Sequence, residues 1–187
     1  MSKKDTLRKS FHNFMSDMWL DMEDASLRDT PARVAKMYTE EICSWLYESP
    51  PKITTFPNDW KFDQMVLVRD IQVQSLCEHH FQPFIGKAHI AYIPGDVIVW
   101  LSKFSRVVDY FSRRPQVQER LTMQIHSFFK ETLQTEDIAV ILKAEHFCIK
   151  LRWAKDPCSD TVTSQLWWSF RKATNQARQE FLSLLQI

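Results

Sequence analysis

The spacing of apolar residues changes near Gln64, and this change limits the fold more than any other feature of the sequence. Before Gln64, apolar side chains recur at helical spacing over 11–22 and again over 34–42. Asp29-Thr30-Pro31 supplies the second segment with a candidate cap and a proline in its first turn. After Gln64, branched and aromatic residues alternate, as they do in strands. The sequence therefore predicts an N-terminal helical region over 1–62 and a sheet-containing region over 63–187, together forming a single functional domain.

In the second region, predicted strands come in pairs with helices between them. The patterns predict strands over 65–73, 84–93, 97–101, 137–144, 146–153 and 161–164. One helix is predicted to follow a Ser102 cap and another to start at Pro115. A last helix is predicted over 171–185, with inward-facing Ala177, Phe181, Leu184 and Leu185. This arrangement indicates an α+β fold with an antiparallel sheet, whose free edges oligomerisation can cover.

The composition excludes several classes of protein. The 187 residues suit one domain, and 24 basic against 23 acidic residues give a net charge of +1. No basic stripe indicates a nucleic-acid partner, and no apolar run reaches the roughly 18 residues of a membrane span. Without a signal peptide we expect a cytoplasmic protein, in which cysteines serve as thiols or metal ligands (Cys43, Cys77, Cys148 and Cys158).

Two short motifs carry metal-binding residue types. Cys77-Glu78-His79-His80 places a thiolate and an imidazole three residues apart, and His146-Phe147-Cys148 adds a second pair in a predicted strand. Residues i and i+2 of a strand share a face, so both side chains of the second pair can reach one site. Cys77, His80 and Cys148 would be three ligands with a fourth position open, as in catalytic zinc sites. The alternative is that Cys148 is a buried thiol and His146 an ordinary hydrogen-bonded strand histidine.

If a metal binds there, two histidines lie beside it as candidate general acids or bases. These are His79 and His146, whose side chains titrate near neutral pH. Zinc would lower the pKa of bound water toward 7 and so supply a nucleophile. The motifs thus predict metal-assisted hydrolysis, provided that both motifs meet in space.

A group of cations forms a candidate polyphosphate site. Lys103 and Arg106 lie three residues apart at the start of the helix predicted after Ser102, where backbone amides also attract anions. Arg152 lies on the metal-facing side of the predicted strand, and Arg33 and Lys36 form a similar pair in the N-terminal region. Most such pairs are simply solvated helix faces, and Glu119 taken alone reads as an ordinary surface glutamate, so that alternative stays open.

Several segments together resemble the type I GTP cyclohydrolases in order and spacing. The resemblance covers nearly the whole chain from about Asp29, and its two long motifs are highly specific. The segments are Thr30-Pro31-Ala32-Arg33-Val34-Ala35-Lys36-Met37, Ser75-Leu76-Cys77-Glu78-His79-His80-Phe81, Leu101-Ser102-Lys103, Arg113-Arg114-Pro115-Gln116-Val117-Gln118-Glu119-Arg120-Leu121-Thr122, His146-Phe147-Cys148 with Arg152, 161–164, and Glu180-Phe181-Leu182.

The resemblance implies a fold, an assembly and a reaction. The fold would be the tunnelling fold, with helices on one face of an antiparallel sheet and sheets of several subunits closing into a barrel. The assembly would be a homo-oligomer, usually a toroidal decamer, with active sites at subunit interfaces. The reaction would open the imidazole ring of GTP, release formate and give 7,8-dihydroneopterin triphosphate.

The resemblance also implies a role for each matching residue. Cys77, His80 and Cys148 would bind Zn²⁺, and His79 and His146 would move protons. Glu119 would accept hydrogen bonds from the guanine edge. The remaining substrate contacts, mostly to the triphosphate, would come from Ser102, Lys103, Arg106, Gln118, Arg152, Arg33 and Lys36.

Tryptophan replaces glycine at several positions relative to that family. The chain has 7 tryptophans and 2 glycines, although average usage predicts about 13 glycines. Six tryptophans stand where the family has glycine, and Trp60 has no such counterpart; the six are Trp19, Trp45, Trp100, Trp153, Trp167 and Trp168. Either the chain has diverged toward an altered substrate, or UGA codons for glycine have been translated as tryptophan.

Two other functions remain compatible with the sequence. One is an altered or inactive homologue that binds another purine or a pterin through the retained Glu119 and metal ligands. The other is a zinc-stabilised assembly module without catalysis, in which His79 and His146 have no chemical role. Metal binding would survive in both.

Overall fold

The computed structural model describes residues 2–151, 156–172, 174 and 176–185. Its backbone contacts divide the chain into two compact units, 1–48 and 49–187. None of the helices in the described residues is long and apolar enough to cross a membrane.

The first unit consists of helices. Helix α1 (Lys3–Asp17) begins with a capping box, in which the Asp5 amide donates to Ser2 Oγ at 3.1 Å and the Ser2 amide donates to Asp5 Oδ2 at 3.2 Å. It ends at Asp17, before the predicted end at residue 22. Helix α2 (Thr30–Lys36) has Pro31 in its first turn and continues as a π-helix over Met37–Ile42, but the predicted side-chain cap from Asp29 is absent.

The second unit combines strands and helices, and the predicted α+β class is confirmed. The strands are β1 (Thr55–Pro57), β2 (Val66–Cys77), β3 (Pro83–Tyr92), β4 (Val97–Val99), β5 (Pro115–Gln116), β6 (Ile138–His146) and β7 (Thr161–Leu166). The helices are α3 (Ser102–Ser112), α4 (Gln118–Leu133), α5 (Phe147–Lys150), a 3₁₀ turn (Trp168–Phe170) and α6 (Gln176–Leu185). Although β1 lies within the predicted N-terminal region, it pairs with β4 of the second unit.

The main sheet has five strands in the order β5-β2-β3-β6-β7. Its pairs are antiparallel, as expected, except that the short β5 runs parallel to β2. A bulge interrupts the β2–β3 register between Val68 and Ile71, and Asp70 within it has a φ of 61°. From this sheet, β2 and β6 carry the two metal-binding motifs at their C-terminal ends.

Helices pack on both faces of the sheet, which corrects the expectation of helices on one face. Alternate residues of β3 and β6, such as Ile90 and Val140, join the core with α3 and α4. The intervening residues Ala91, Ala139 and Ile141 form a second cluster with Phe181 and Leu185 of α6. Because successive side chains of a strand point to opposite faces, these apolar side chains lie on the second face of the sheet. Helix α6 covers part of that face.

Several element boundaries differ from the sequence prediction. Pro115 begins the short strand β5 rather than a helix, because the chain pairs there with Leu76 and Cys77 before α4 starts at Gln118. The predicted strand over 146–153 is wrong over 147–150, where α5 forms. The last helix starts at Gln176, and Leu184 in it is 45% exposed rather than inward-facing.

The close approach of β3 to β6 requires glycine at position 86. A Cβ built on Gly86 would lie 2.0 Å from the Lys143 carbonyl oxygen and 2.7 Å from Ala144 Cβ. Both neighbours belong to β6, so neither can move without disturbing the ladder. Gly95, in contrast, has no heavy atom within 4 Å of such a Cβ.

We expect Gly86→Ala to lower the free energy of unfolding by about 1–3 kcal/mol or more, as overpacking does. Gly95→Ala is the matched control and should leave stability unchanged or raise it by about 0.4–1 kcal/mol, since Gly95 has no positive φ. The midpoint of denaturant unfolding measures both. Equal effects of the two substitutions would contradict the assigned β3–β6 approach.

Candidate metal centre

The first metal-binding motif lies in a tight turn at the end of β2. The Cys77 amide donates to the Gln82 carbonyl at 2.8 Å, and the Phe81 amide donates to the Cys77 carbonyl at 2.8 Å. Phe81 has a φ of 52°, which reverses the chain toward β3. The turn buries Cys77 and leaves His79 and His80 exposed.

The second motif reaches the same turn through the pairing of β3 with β6. Phe84, close after the turn, is directly opposite His146, the last residue of β6. The chain then turns into α5, which carries Cys148. Cys148 therefore approaches from a helical turn, and not from a strand face shared with His146 as predicted.

Three side chains converge into a group that could hold a metal ion. The ligand atoms of Cys77, His80 and Cys148 all lie within 4.8 Å of one another, and Cys77 Sγ lies 3.8 Å from His80 Nδ1. A tetrahedral zinc with bonds of about 2.3 Å to sulfur and 2.0–2.1 Å to nitrogen separates such atoms by about 3.6–3.8 Å. The residues present thus fit a small tetrahedral cation.

His79 lies beside this group. Its Nδ1 is 3.9 Å from Cys77 Sγ, and its Nε2 is 3.9 Å from Glu78 Oε1. The side chain is 65% exposed. It can therefore exchange protons with solvent at the edge of the metal group.

His146 is held in one orientation by two contacts. Its ring stacks on Phe84 with centroids 4.7 Å apart, and its Nε2 lies 2.6 Å from Gln118 Oε1. The Gln118 amide nitrogen donates instead to acceptors of the sheet, Leu142 O at 3.1 Å, Thr161 O at 2.9 Å and Thr163 Oγ1 at 3.1 Å. Gln118 therefore offers His146 only its oxygen, so the proton of the neutral imidazole lies on Nε2 and Nδ1 is the accepting nitrogen.

Burial lowers the pKa of His146 below its ordinary value, and the nearby Glu119 carboxylate offsets part of this effect. The neutral imidazole therefore predominates at neutral pH. Glu119 is exposed in the first turn of α4, close enough to His146 for its charge to act on that ring.

An ion pair ties the metal loop to the start of α4. Arg120 donates through Nη2 to Glu78 Oε2 and through Nε to Gln116 Oε1 at 2.9 Å. This bond lowers the pKa of Glu78 and keeps its carboxylate charged. Sequence reasoning missed this connection, although Glu78 and Arg120 stand inside the two most specific motifs.

The candidate phosphate-binding cations of the second unit lie on α3, toward the end of this helix away from its contact with Ser75. Ser75 Oγ, near the end of β2, donates to the carbonyl oxygen of Arg114 at 3.0 Å. Arg114 lies just beyond the C-terminal end of α3. Ser102, Lys103 and Arg106 lie toward the other end of this 11-residue helix, whose length is about 15 Å. Ser102 is the first helical residue, and the predicted Ser102 cap is wrong because Leu101 is the N-cap.

The other three predicted cations lie in the first unit or outside the described residues. Arg33 and Lys36 belong to the first unit, where Arg33 Nη2 donates to the Ser26 carbonyl at 2.8 Å and to Thr30 Oγ1 at 3.1 Å. Lys36 is exposed. Arg152 lies outside the described residues.

The sequence profile of GTP cyclohydrolase I matches residues 7–186. The chain belongs to the GTP cyclohydrolase I family. Curated relatives named GTP cyclohydrolase 1 include that of Yersinia enterocolitica, 47% identical over 182 residues, which is 97% of this chain and 82% of the relative. That of Aeromonas salmonicida is 46% identical over 185 residues, covering 98% of this chain and 84% of the relative. The family resemblance predicted from the motifs is confirmed.

In this member of the GTP cyclohydrolase I family, Cys148→Ser should abolish tight metal binding. The loss should exceed the roughly 10- to 100-fold that removal of an outer hydrogen-bond partner costs, since a direct ligand is removed. Cys158→Ser is the control, because Cys158 is an exposed free thiol outside the group. Metal content after dialysis against a weak chelator measures both, and equal retention would exclude Cys148 as a ligand.

Proposed function

We propose that this protein is a zinc-dependent GTP cyclohydrolase, which converts GTP and water to formate and 7,8-dihydroneopterin triphosphate. The observation that carries the proposal is the convergence of Cys77, His80 and Cys148 beside an oriented His146. The relatives' shared name, at 47% identity over 97% of the chain, supplies the reaction.

Zinc suits the group because two thiolates and one imidazole are ligands that it prefers. Three protein ligands leave a coordination position open, as in catalytic rather than structural sites. Cys77, His80 and Cys148 would hold the zinc, which would supply Lewis-acid activation of water.

The protein's own residues would move the protons. His146 has its Nε2 proton committed to Gln118, so its Nδ1 would take up the proton that the attacking water loses and pass it to the imidazole nitrogen of guanine as the ring opens. His79, exposed on the other side of Cys77, would serve the later hydration that releases formate. Glu119 forms no ion pair with the residues that the structure describes, and it would accept hydrogen bonds from the two N–H groups of the guanine edge.

The substrate site would be completed by neighbouring copies in a homo-oligomer. Lys103 and Arg106 lie toward the end of α3 away from its contact with Ser75, and a neighbouring copy would bring such a pair to the triphosphate at each metal group. Ser102, Arg152, Arg33 and Lys36 would add to the same contact. This arrangement places GTP at subunit interfaces.

The edges of the sheet support such an assembly. Among the described residues, β7 is the outer strand on one side, and on the other side β2 pairs beyond β3 only with the two-residue β5. Pairing of these edges between copies would close the sheets into the barrel of the tunnelling fold, in a toroidal decamer. We place the enzyme in the cytoplasm, where a reducing environment keeps Cys77 and Cys148 out of disulfides and available as metal ligands.

Purified zinc-loaded protein should release formate from GTP, and a chelator should stop the reaction. His146→Ala should lower kcat by about 100-fold or more, as loss of a general acid–base does. His12→Ala is the matched control, because His12 is an exposed histidine of α1. Without formate release from a metal-loaded oligomer, the proposed reaction would be wrong, and titration with other purines and pterins would test the altered homologue.

The contacts of Gln118 predict that it acts through His146 rather than by binding GTP. Gln118 is 2% exposed, so Gln118→Leu should lower kcat with little change in KM. In a His146→Ala background the same substitution should lower kcat little further, because the two residues act as a unit. Steady-state kinetics of the four proteins, with metal content as the folding control, provide the test; a raised KM with unchanged kcat would instead show substrate binding.

A further inference from the structure

Two of the tryptophans occupy a backbone conformation that favours glycine. Trp19 has a φ of 61° and Trp168 a φ of 46°. Bulky side chains rarely adopt positive φ, which costs about 1–2 kcal/mol for an L-residue in the left-handed region. The four other residues with positive φ in the described part of the chain include an aspartate and a glutamine; they are Lys61, Asp70, Phe81 and Gln134.

Neither indole gains burial that would offset this cost. Trp19 is 94% exposed and Trp168 is 67% exposed. Tryptophan normally contributes to stability by burying its large ring. A glycine at either position would remove the strain and lose little packing.

The scarcity of glycine in the composition agrees with a replacement of glycine by tryptophan. The chain has only 2 glycines, and neither has a positive φ. About 13 would be average for this length. The turns that normally draw on glycine thus use other residues here, and two of them use tryptophan.

Trp100 connects this pattern to the candidate substrate site. Its indole is 60% exposed and lies against Phe56, with ring centroids 5.3 Å apart. It immediately precedes Leu101 and the cations at the start of α3. A glycine at position 100 would remove this exposed ring from the start of α3.

We propose that the functional polypeptide carries glycine at positions 19 and 168, because its gene has UGA codons that are read as glycine in the cell and as tryptophan in this sequence. The same codon then stands at Trp45, Trp100, Trp153 and Trp167. Trp60 is the internal control, since its φ is not positive and the proposal expects a UGG codon there. The proposal does not depend on the reaction of the enzyme.

Peptide masses of the protein purified from its own source organism, read beside the gene sequence, test this directly. We expect UGA and a glycine mass at positions 19 and 168, and UGG and a tryptophan mass at position 60. A tryptophan mass at position 19 or 168 would overturn the proposal, whichever codon encodes it, because some genetic codes read UGA as tryptophan.

Recombinant variants test the structural basis separately. Trp168→Gly should raise Tm by about 2–4 °C, the shift that relief of roughly 1 kcal/mol of backbone strain gives in a chain of this size. Trp60→Gly should not raise Tm, because its backbone is unstrained and glycine only adds freedom to the unfolded chain. An unchanged or lower Tm for Trp168→Gly would remove the structural support for glycine at that position.

Discussion

The pairing of β3 with β6 is the contact on which the rest of this structure depends. Because Phe84 lies opposite His146, the register brings the end of β6 against the turn that follows β2. The two metal-binding motifs are separated by more than sixty residues of chain, and this one register brings them together. The Gly86 position allows the two strands to approach, so a substitution there affects both the core and the metal group.

A second layer of contacts sets the chemistry of the metal group. Gln118 is buried between α4 and the sheet, where its amide nitrogen reaches β6 and β7 and its oxygen reaches His146. Arg120, two residues further along α4, donates a hydrogen bond to Glu78 of the metal loop. The first turn of α4 therefore positions the proton-transfer histidine and the metal loop, while leaving Glu119 exposed between them.

Some parts of the fold could be predicted from sequence because they depend on local periodicity. The alternation in β3, the run of branched apolar residues in β6 and the apolar stripe of α3 identified these elements. The helix predicted from Pro115 was wrong at its start because proline in a first helical turn and proline in a short strand look the same locally. Only the pairing of Pro115 with Leu76 distinguishes the strand from the helix start, and these two residues are far apart in sequence.

The sequence by itself determined the residue types of the candidate site, since thiolates, imidazoles and a carboxylate in these motifs carry a chemistry that no fold can add. It also determined the imbalance between tryptophan and glycine. Only the tertiary structure decided that Cys148 reaches the metal group from a helical turn, that His146 presents Nδ1, and that Lys103 and Arg106 lie toward the end of α3 away from its contact with Ser75. The physical reason is that ligand geometry, tautomer and site completeness depend on contacts between residues far apart in sequence, which short-range patterns do not encode.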